Sequence, residues 1–345
     1  MSTRFSLKKA EQIIDRLGPL FLIGSKGERR RFKGLSETHK ADLREPSNWN
    51  WRSGIYAVAI GEKVTERKTC HGEFCLKFFV PRKIAKTRLR SSEAIPTQIK
   101  LRSTRSKILT DVEEMTNLPT GHSAQIFRPV RPGASIGNFR GSTGTAGLIV
   151  RRIGFPAPLI LSCSHVLALG GFATAGDPVE QPADFSGTVG PNRIGRLFPG
   201  FSVLNPAVIN DVDAAVVAVD QGISVDPAIL DIGPPTRISD PFSPLSPNLA
   251  AIPLLRSGAA TGVQPGSIVG LRAKVKVQMP AIGGHVIVFS RMVLYKTHSE
   301  AGDSGAAVID ARDTSVIGLH VAGNGIEGLF TPIQTVFNAL GVELV

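Results

Sequence analysis

Gly302-Asp303-Ser304-Gly305 sets a hydroxyl between two glycines, the composition of a tight turn that presents a nucleophile. A serine hydroxyl is a poor nucleophile at neutral pH. It attacks a carbonyl carbon only when an imidazole takes its proton and a carboxylate orients that imidazole. Both partners lie upstream, His165 in LILSCSHVLAL and Asp213 in NDVDAAVVAVD. His165 precedes Asp213 by 48 residues, and Asp213 precedes Ser304 by 91. The glycines also let the N–H groups of Gly302 and Ser304 point at a developing oxyanion. The chemistry implied is acyl transfer through a serine ester.

Taken singly, His165 reads as a satisfied histidine at a strand end and Asp213 as a turn carboxylate. Taken together with the serine turn, they read as a triad. Asp211 competes with Asp213 for the orienting role. Asp213 is preferred because the apolar run AAVVAV follows it directly, which places its carboxylate at a buried strand mouth. Cys163, two residues before His165, sits in an apolar strand and reads as packed core rather than as a second nucleophile or redox switch.

These residues need a scaffold of short strands. The 345-residue chain has 42% hydrophobic residues but only 6% aromatics, with 36 Gly and 24 Pro, which suits strands joined by many turns. From about residue 125, apolar segments such as GTAGLIVRR, GSIVGLRAKVKVQM, HVIVFSRMVLY and VIGLHVAG alternate with turn signals and show no long helical period. An all-β barrel or sandwich is expected there. The Pro- and Ser-rich stretch 231–253 reads as a connector between two halves, about 125–230 and about 250–345, and TPIQTVFNALGV (331–342) as a C-terminal helix covering the second half. Residues 1–120 form a separate α+β module. It has an amphipathic helix over 6–18, two strands over 55–68 and 73–83, and a boundary at NLPTGHS, 117–123.

SHVLA, DAAVV and GDSGAAV followed by VIGLHVAG resemble the trypsin-like, chymotrypsin-fold serine peptidases, whose chain order is also His, Asp, Ser. The likeness is greatest to the intracellular group that includes bacterial trypsin-like proteins and the plant narrow-leaf proteins. It rests on VAIGEKVTERK and CLKFFVPRK, on Thr110-Asp111-Val112, and on the element running from Arg256 through Gly258, Thr261 and Gly262 to Val269. The resemblance implies a mainly β protein with two antiparallel barrels after the basic module, acting as a serine endopeptidase. In trypsin-type zymogens a freed N-terminus pairs with the aspartate before the serine, here Asp303. A fused module leaves that route unavailable, so Asp303 needs another partner, or the oxyanion site forms only when something binds.

Specificity then rests with the residues six and five before the nucleophile, His298 and Ser299, and with His320 on the returning strand. VIGLHVAGNG is similar to the pocket strand of glutamate-specific bacterial serine peptidases and of picornaviral cysteine peptidases that prefer glutamine. There a histidine and a hydroxyl hold the substrate side-chain oxygen. Cleavage after Glu is expected, with Gln second, because His298 and Lys296 favour a charged side chain; a packed barrel histidine is the alternative reading of His320.

The net charge of +12 resides in the first third: residues 1–114 hold 25 Lys/Arg against 13 Asp/Glu, while 115–345 hold 15 against 15. Three uses of that module are open, namely a regulatory protein partner, nucleic acid, or solvation alone. Arg29–Arg31, Trp49, Trp51, Phe78 and Phe79 are the candidates for contacting phosphates and bases, although the two Phe sit in an expected strand and read rather as core. Cys70-x4-Cys75 with His71 lacks a second ligand pair, so no zinc is expected. No metal, nucleotide or other cofactor is implied. The start MSTRFSLKKAEQ has no apolar signal region, no apolar run of about 18 residues follows, and three cysteines form no secreted disulfide framework. A soluble cytoplasmic peptidase acting on protein substrates under a regulatory partner or trigger is the expectation. A catalytically idle scaffold of the same fold is its rival.

Overall fold

The computed structural model describes Ile14, Ile55 and residues 57–65, 68–80, 83–84, 86–89, 94–100, 107–114, 125–183, 189–240 and 251–345. The chain forms a mainly β protein of two barrel-like sheets, as expected. Four strands precede the barrels: β1 (Ala57–Thr65), β2 (Lys68–Val80), β3 (Gln98–Lys100) and β4 (Lys107–Glu114). The first barrel contains β5 (Ser135–Asn138), β6 (Gly144–Thr145), β7 (Leu148–Arg152), β8 (Phe155–Ser162), the one-turn helix α1 (Ser164–Leu167), β9 (Pro178–Glu180) and β10 (Arg193–Leu197). After β11 (Ile209–Asn210) it is completed by β12 (Ala215–Val219). The second holds β13 (Leu254–Gly258), β14 (Gly262–Met279), β15 (His285–Lys296), β16 (Ala307–Asp310), β17 (Val316–Gly323) and β18 (Glu327–Pro332). Helix α2 (Ile333–Leu340) and β19 (Val342–Leu344) end the chain.

The second barrel closes on itself. Its strands run β15-β18-β17-β16-β13-β14, and β14 pairs back onto β15. Closure leaves no free edge inside the ring, and β17 is buried along its whole length. All of β14 serves the ring, Gly262–Gly266 pairing with β13 and Ser267–Met279 with β15, and past the end of β13 its Leu271, Lys274 and Val275 take up β1 on the edge that β15 leaves open. The module strands therefore continue the second barrel's sheet. Period-2 alternation gives β1 two buried faces: Ala57 and Ala59 join the main core, and Val58 and Ile60 join a second cluster with Phe78, Ile99 and Ile108.

Phe78 and Phe79 are 0% and 1% exposed. They pack in these cores, the reading their place in an expected strand favoured over base stacking. Of the expected helix over 6–18 only Ile14 is described, helical and buried in the second cluster. Arg29–Arg31, Trp49, Trp51 and the boundary at 117–123 lie outside the described residues. The C-terminal helix is present, and its apolar side (Ile333, Val336, Phe337, Leu340) packs into the main core. The chain then crosses back, because β19 pairs with β7 of the first barrel. Among the described residues no helix is long and apolar enough to cross a membrane.

Candidate active site

His165 and Asp213 meet because of strand register. β8 and β12 are antiparallel, with Ser162 opposite Ala215. The end of β8 therefore faces the start of β12, and the 48-residue gap closes to contact. His165 Nδ1–H donates to Asp213 Oδ2 at 2.5 Å, and the His165 backbone N–H donates to Asp213 Oδ1 at 3.0 Å. Both residues are buried, and Nε2 of His165 has no hydrogen-bond partner among the described residues. The competitor Asp211 is engaged elsewhere, accepting from Ser290 Oγ.

Cys163 stands beside the pair, and one ligand atom of each of Cys163, His165 and Asp213 lies within 4.8 Å of the others. Burial, then the charge of Asp213, raises the Cys163 thiol well above its ordinary value, and its S–H donates to His320 O. Cys75 is likewise raised, to about 12, chiefly by burial. The trio is a packed arrangement around His165, as the apolar context of Cys163 suggested.

Ser304 sits on the turn between β15 and β16, which β17 backs. Gly305 N–H donates to His320 O at 2.7 Å, and Ser304 Oγ donates to Val321 O at 2.8 Å. The serine hydroxyl thus rests on β17, and the bond to His165 Nε2 is not made. Apo catalytic hydrogen bonds are often loose or misaligned before substrate binds. Gly302 has φ +110° and Gly305 φ +96°. A Cβ on Gly305 would also lie 2.1 Å from Ser162 Oγ, so only glycine fits there. The N–H groups of Asp303, Gly305 and Ala306 are bonded within the chain, whereas those of Gly302 and Ser304 donate to no partner among the described residues. Two free amides flanking a serine are what an oxyanion site requires.

Asp303 is 0% exposed, and the partner it lacked in the sequence is Arg256. Arg256 Nη1 lies 2.9 Å from Asp303 Oδ2, and the arginine is itself 1% exposed. Beside this charge contact, four hydrogen-bond donors surround the carboxylate: Ala260 N–H (3.1 Å), Thr261 N–H (3.1 Å), Thr261 Oγ1–H (2.8 Å) and Glu300 N–H (3.0 Å). Gly258 makes room, since a Cβ there would fall 2.1 Å from Asp303 Oδ1. The Arg256-to-Gly262 element is thus a cage for the carboxylate. Arg256 Nη2 reaches on to His298 O and Thr261 Oγ1, tying the cage to the segment that carries Ser299.

His320 is buried between Tyr295 Oη, 2.8 Å from Nδ1, and Ser299 Oγ, 2.9 Å from Nε2. Burial, then the positive charge of Arg256, holds its pKa well below the usual imidazole value, so it is neutral near pH 7 and carries one N–H. The structure joins Ser299 to His320 as expected. It leaves His298 apart: 46% exposed, His298 pairs with Glu300 and Gly325 O, and Lys296 is also exposed. The expectation that these two charge the pocket finds no support in this geometry. Sequence reasoning missed Tyr295, for which period-2 burial of β15 was the available signal, and it missed the cage role of Arg256 and Thr261.

With the geometry in view, a family model described as 3C cysteine protease (picornain 3C) matches residues 272–325. That stretch contains Ser304, Ser299 and His320 but no cysteine. Among solved structures, the chain is similar to the Nocardiopsis protease NAPase (19% identity, 62% of this chain and 98% of that one, TM-score 0.45). It is similar to Thermobifida fusca Protease A (18%, 63% and 98%, TM-score 0.42). It is also similar to a glutamic acid specific serine protease that uses a histidine triad in substrate binding (20%, 63% and 100%, TM-score 0.44). No curated protein matches the chain.

Two predictions follow from the charges. Arg256→Met leaves a buried carboxylate without its cation, a loss of about 3–5 kcal/mol; urea denaturation of the variant should show it, and a midpoint equal to wild type would contradict the cage. Glu327, on β18, is raised from 4.5 to about 7 by burial and then by Glu113 of β4. A raised carboxyl binds its proton more tightly in the folded state, so stability falls as pH rises from about 4.5 to 7. Glu327→Gln should abolish that part of the decline when urea midpoints are compared across this window.

Proposed function

We propose that the chain is a serine endopeptidase in which Ser304 is the nucleophile, His165 the base then acid, and Asp213 the residue that orients His165. One observation carries this reading: a buried His165–Asp213 pair whose Nε2 has no partner among the described residues, together with a glycine-flanked serine whose own amide and that of Gly302 donate to none of the described residues. Attack moves the Oγ proton to Nε2, and the carbonyl oxygen becomes an oxyanion between the N–H groups of Gly302 and Ser304. Collapse breaks the peptide bond, with the Nε2 proton going to the leaving amine. Water, deprotonated by His165, then releases the acid. The matched stretch 272–325 has no cysteine, which supports serine in this role.

Ser299 and His320 hold the side-chain oxygen of the residue before the cut. A neutral imidazole supplies a donor without a charge. It suits the carbonyl of glutamine, whereas a glutamate would carry a carboxylate into a buried site whose imidazole offers it no charge. The proposal is therefore cleavage after Gln or Glu, with Gln favoured at neutral pH. Action in a reducing compartment is part of the same reading, supported by three unpaired cysteines. Control by a protein partner of the basic N-terminal module is part of the same proposal.

One observation favours a second reading, an idle scaffold: Ser304 Oγ is bonded to Val321 O rather than to His165. Matched peptides with Gln, Glu, Lys or Phe before the scissile bond decide between the two. The expected kcat/KM for Gln and Glu exceeds that for Lys and Phe by at least about 100-fold, and Ser304→Ala removes all turnover. Preferred cleavage after Lys or Phe sinks the pocket assignment. No turnover of any peptide favours the scaffold.

A further inference from the structure

Thr145, on β6 of the first barrel, is fully buried, and its polar atoms are all spent around the serine turn of the second barrel. Its N–H donates to Ser304 O at 2.7 Å, and its carbonyl accepts from Ser162 Oγ at 2.7 Å. Its hydroxyl donates to Gly302 O at 2.6 Å and accepts from Ala259 N–H at 2.9 Å. A threonine hydroxyl has a single proton. Because the Ala259 N–H brings its own hydrogen, the proton of Thr145 is directed at Gly302 O.

That carbonyl shares a peptide plane with Asp303 N–H, which donates to Glu300 O at 3.2 Å. Both poles of the plane are therefore tied, one to each barrel. Gly302, at φ +110° and without a side chain, is the residue of the turn with the most freedom to rotate. The plane after it lies between the peptide that carries the Gly302 N–H and the peptide that carries the Ser304 N–H, so tying it leaves each of these amides the φ/ψ pair of a single residue to turn about. We propose that Thr145 is a positioning residue that holds these two amides preformed as an oxyanion site. The kinetic part of the proposal rests on the peptidase reading of Ser304.

The test uses the full chain with Thr145→Val, which keeps the shape and removes the hydroxyl. Thr145→Ala and Thr145→Ser form a second pair; both lose the methyl group and differ only in the hydroxyl, so they carry the test if the valine variant does not fold. Hydrogen exchange of the Asp303 amide, read in a Ser304→Ala background, needs no catalysis. It is expected to quicken at least about tenfold without the hydroxyl and to return toward wild type in Thr145→Ser. With a glutamine peptide, kcat is expected to fall about 10–100-fold while KM stays within about twofold, the signature of an interaction made in the transition state. Unchanged exchange overturns the proposal. So does a rise in KM at constant kcat. A wild-type chain that cleaves neither Gln nor Glu peptides counts against the peptidase reading instead, and the exchange measurement then still decides the role of Thr145.

Discussion

A carboxylate with no solvent exposure is stable only when donors and a cation surround it, and Asp303 is the residue on which this site is built. The Arg256 cation and four hydrogen-bond donors converge on it, three donors from Ala260–Thr261 and one from Glu300. The serine follows directly in the chain, so satisfying the aspartate sets the course of the nucleophile turn. Arg256 also holds the His298 carbonyl and sends its positive field to His320. One buried cation therefore links the turn that would stabilise an oxyanion to the pocket that would select a side chain. The cage is internal to the chain and uses no freed N-terminus.

The other half of the site depends on registers set far away. β8 delivers His165 and β12 delivers Asp213, and the antiparallel pairing of Ser162 with Ala215 brings the two ends together. A slip of one residue would turn every alternate side chain of these strands to the other face. The first barrel then leans on the second through Thr145 and Cys163, which bond to Gly302, Ser304 and His320 across the seam. The crossing of β19 onto β7 fastens the same two halves at the chain end.

Much of this was legible in the sequence, and the reasons are local. Glycine-flanked serine, a histidine after an apolar run and an aspartate before one each carry their meaning within a few residues. The strands over 55–68 and 73–83 were readable from local composition; β1 falls in the first, whereas β2 already starts at Lys68, ahead of the expected 73. Partners were not readable. Alternation tells which residues share a face but not which strand lies alongside, so the docking of β1 on β14 and of β19 on β7 needed the structure. The role of Thr145 was invisible for the same reason, since its bonds join residues 114 and 157 positions apart. His298 was over-read, because position relative to the serine does not say whether a side chain turns inward.

The central claim is that Ser304 is a nucleophile activated by His165. Its most direct measurement is reaction with a fluorophosphonate followed by mass mapping of the adduct. The predicted result is a single phosphonyl group on the peptide bearing Ser304, lost in Ser304→Ala and reduced by orders of magnitude in His165→Ala. An unmodified wild-type chain, or equal modification in the His165→Ala variant, would contradict it.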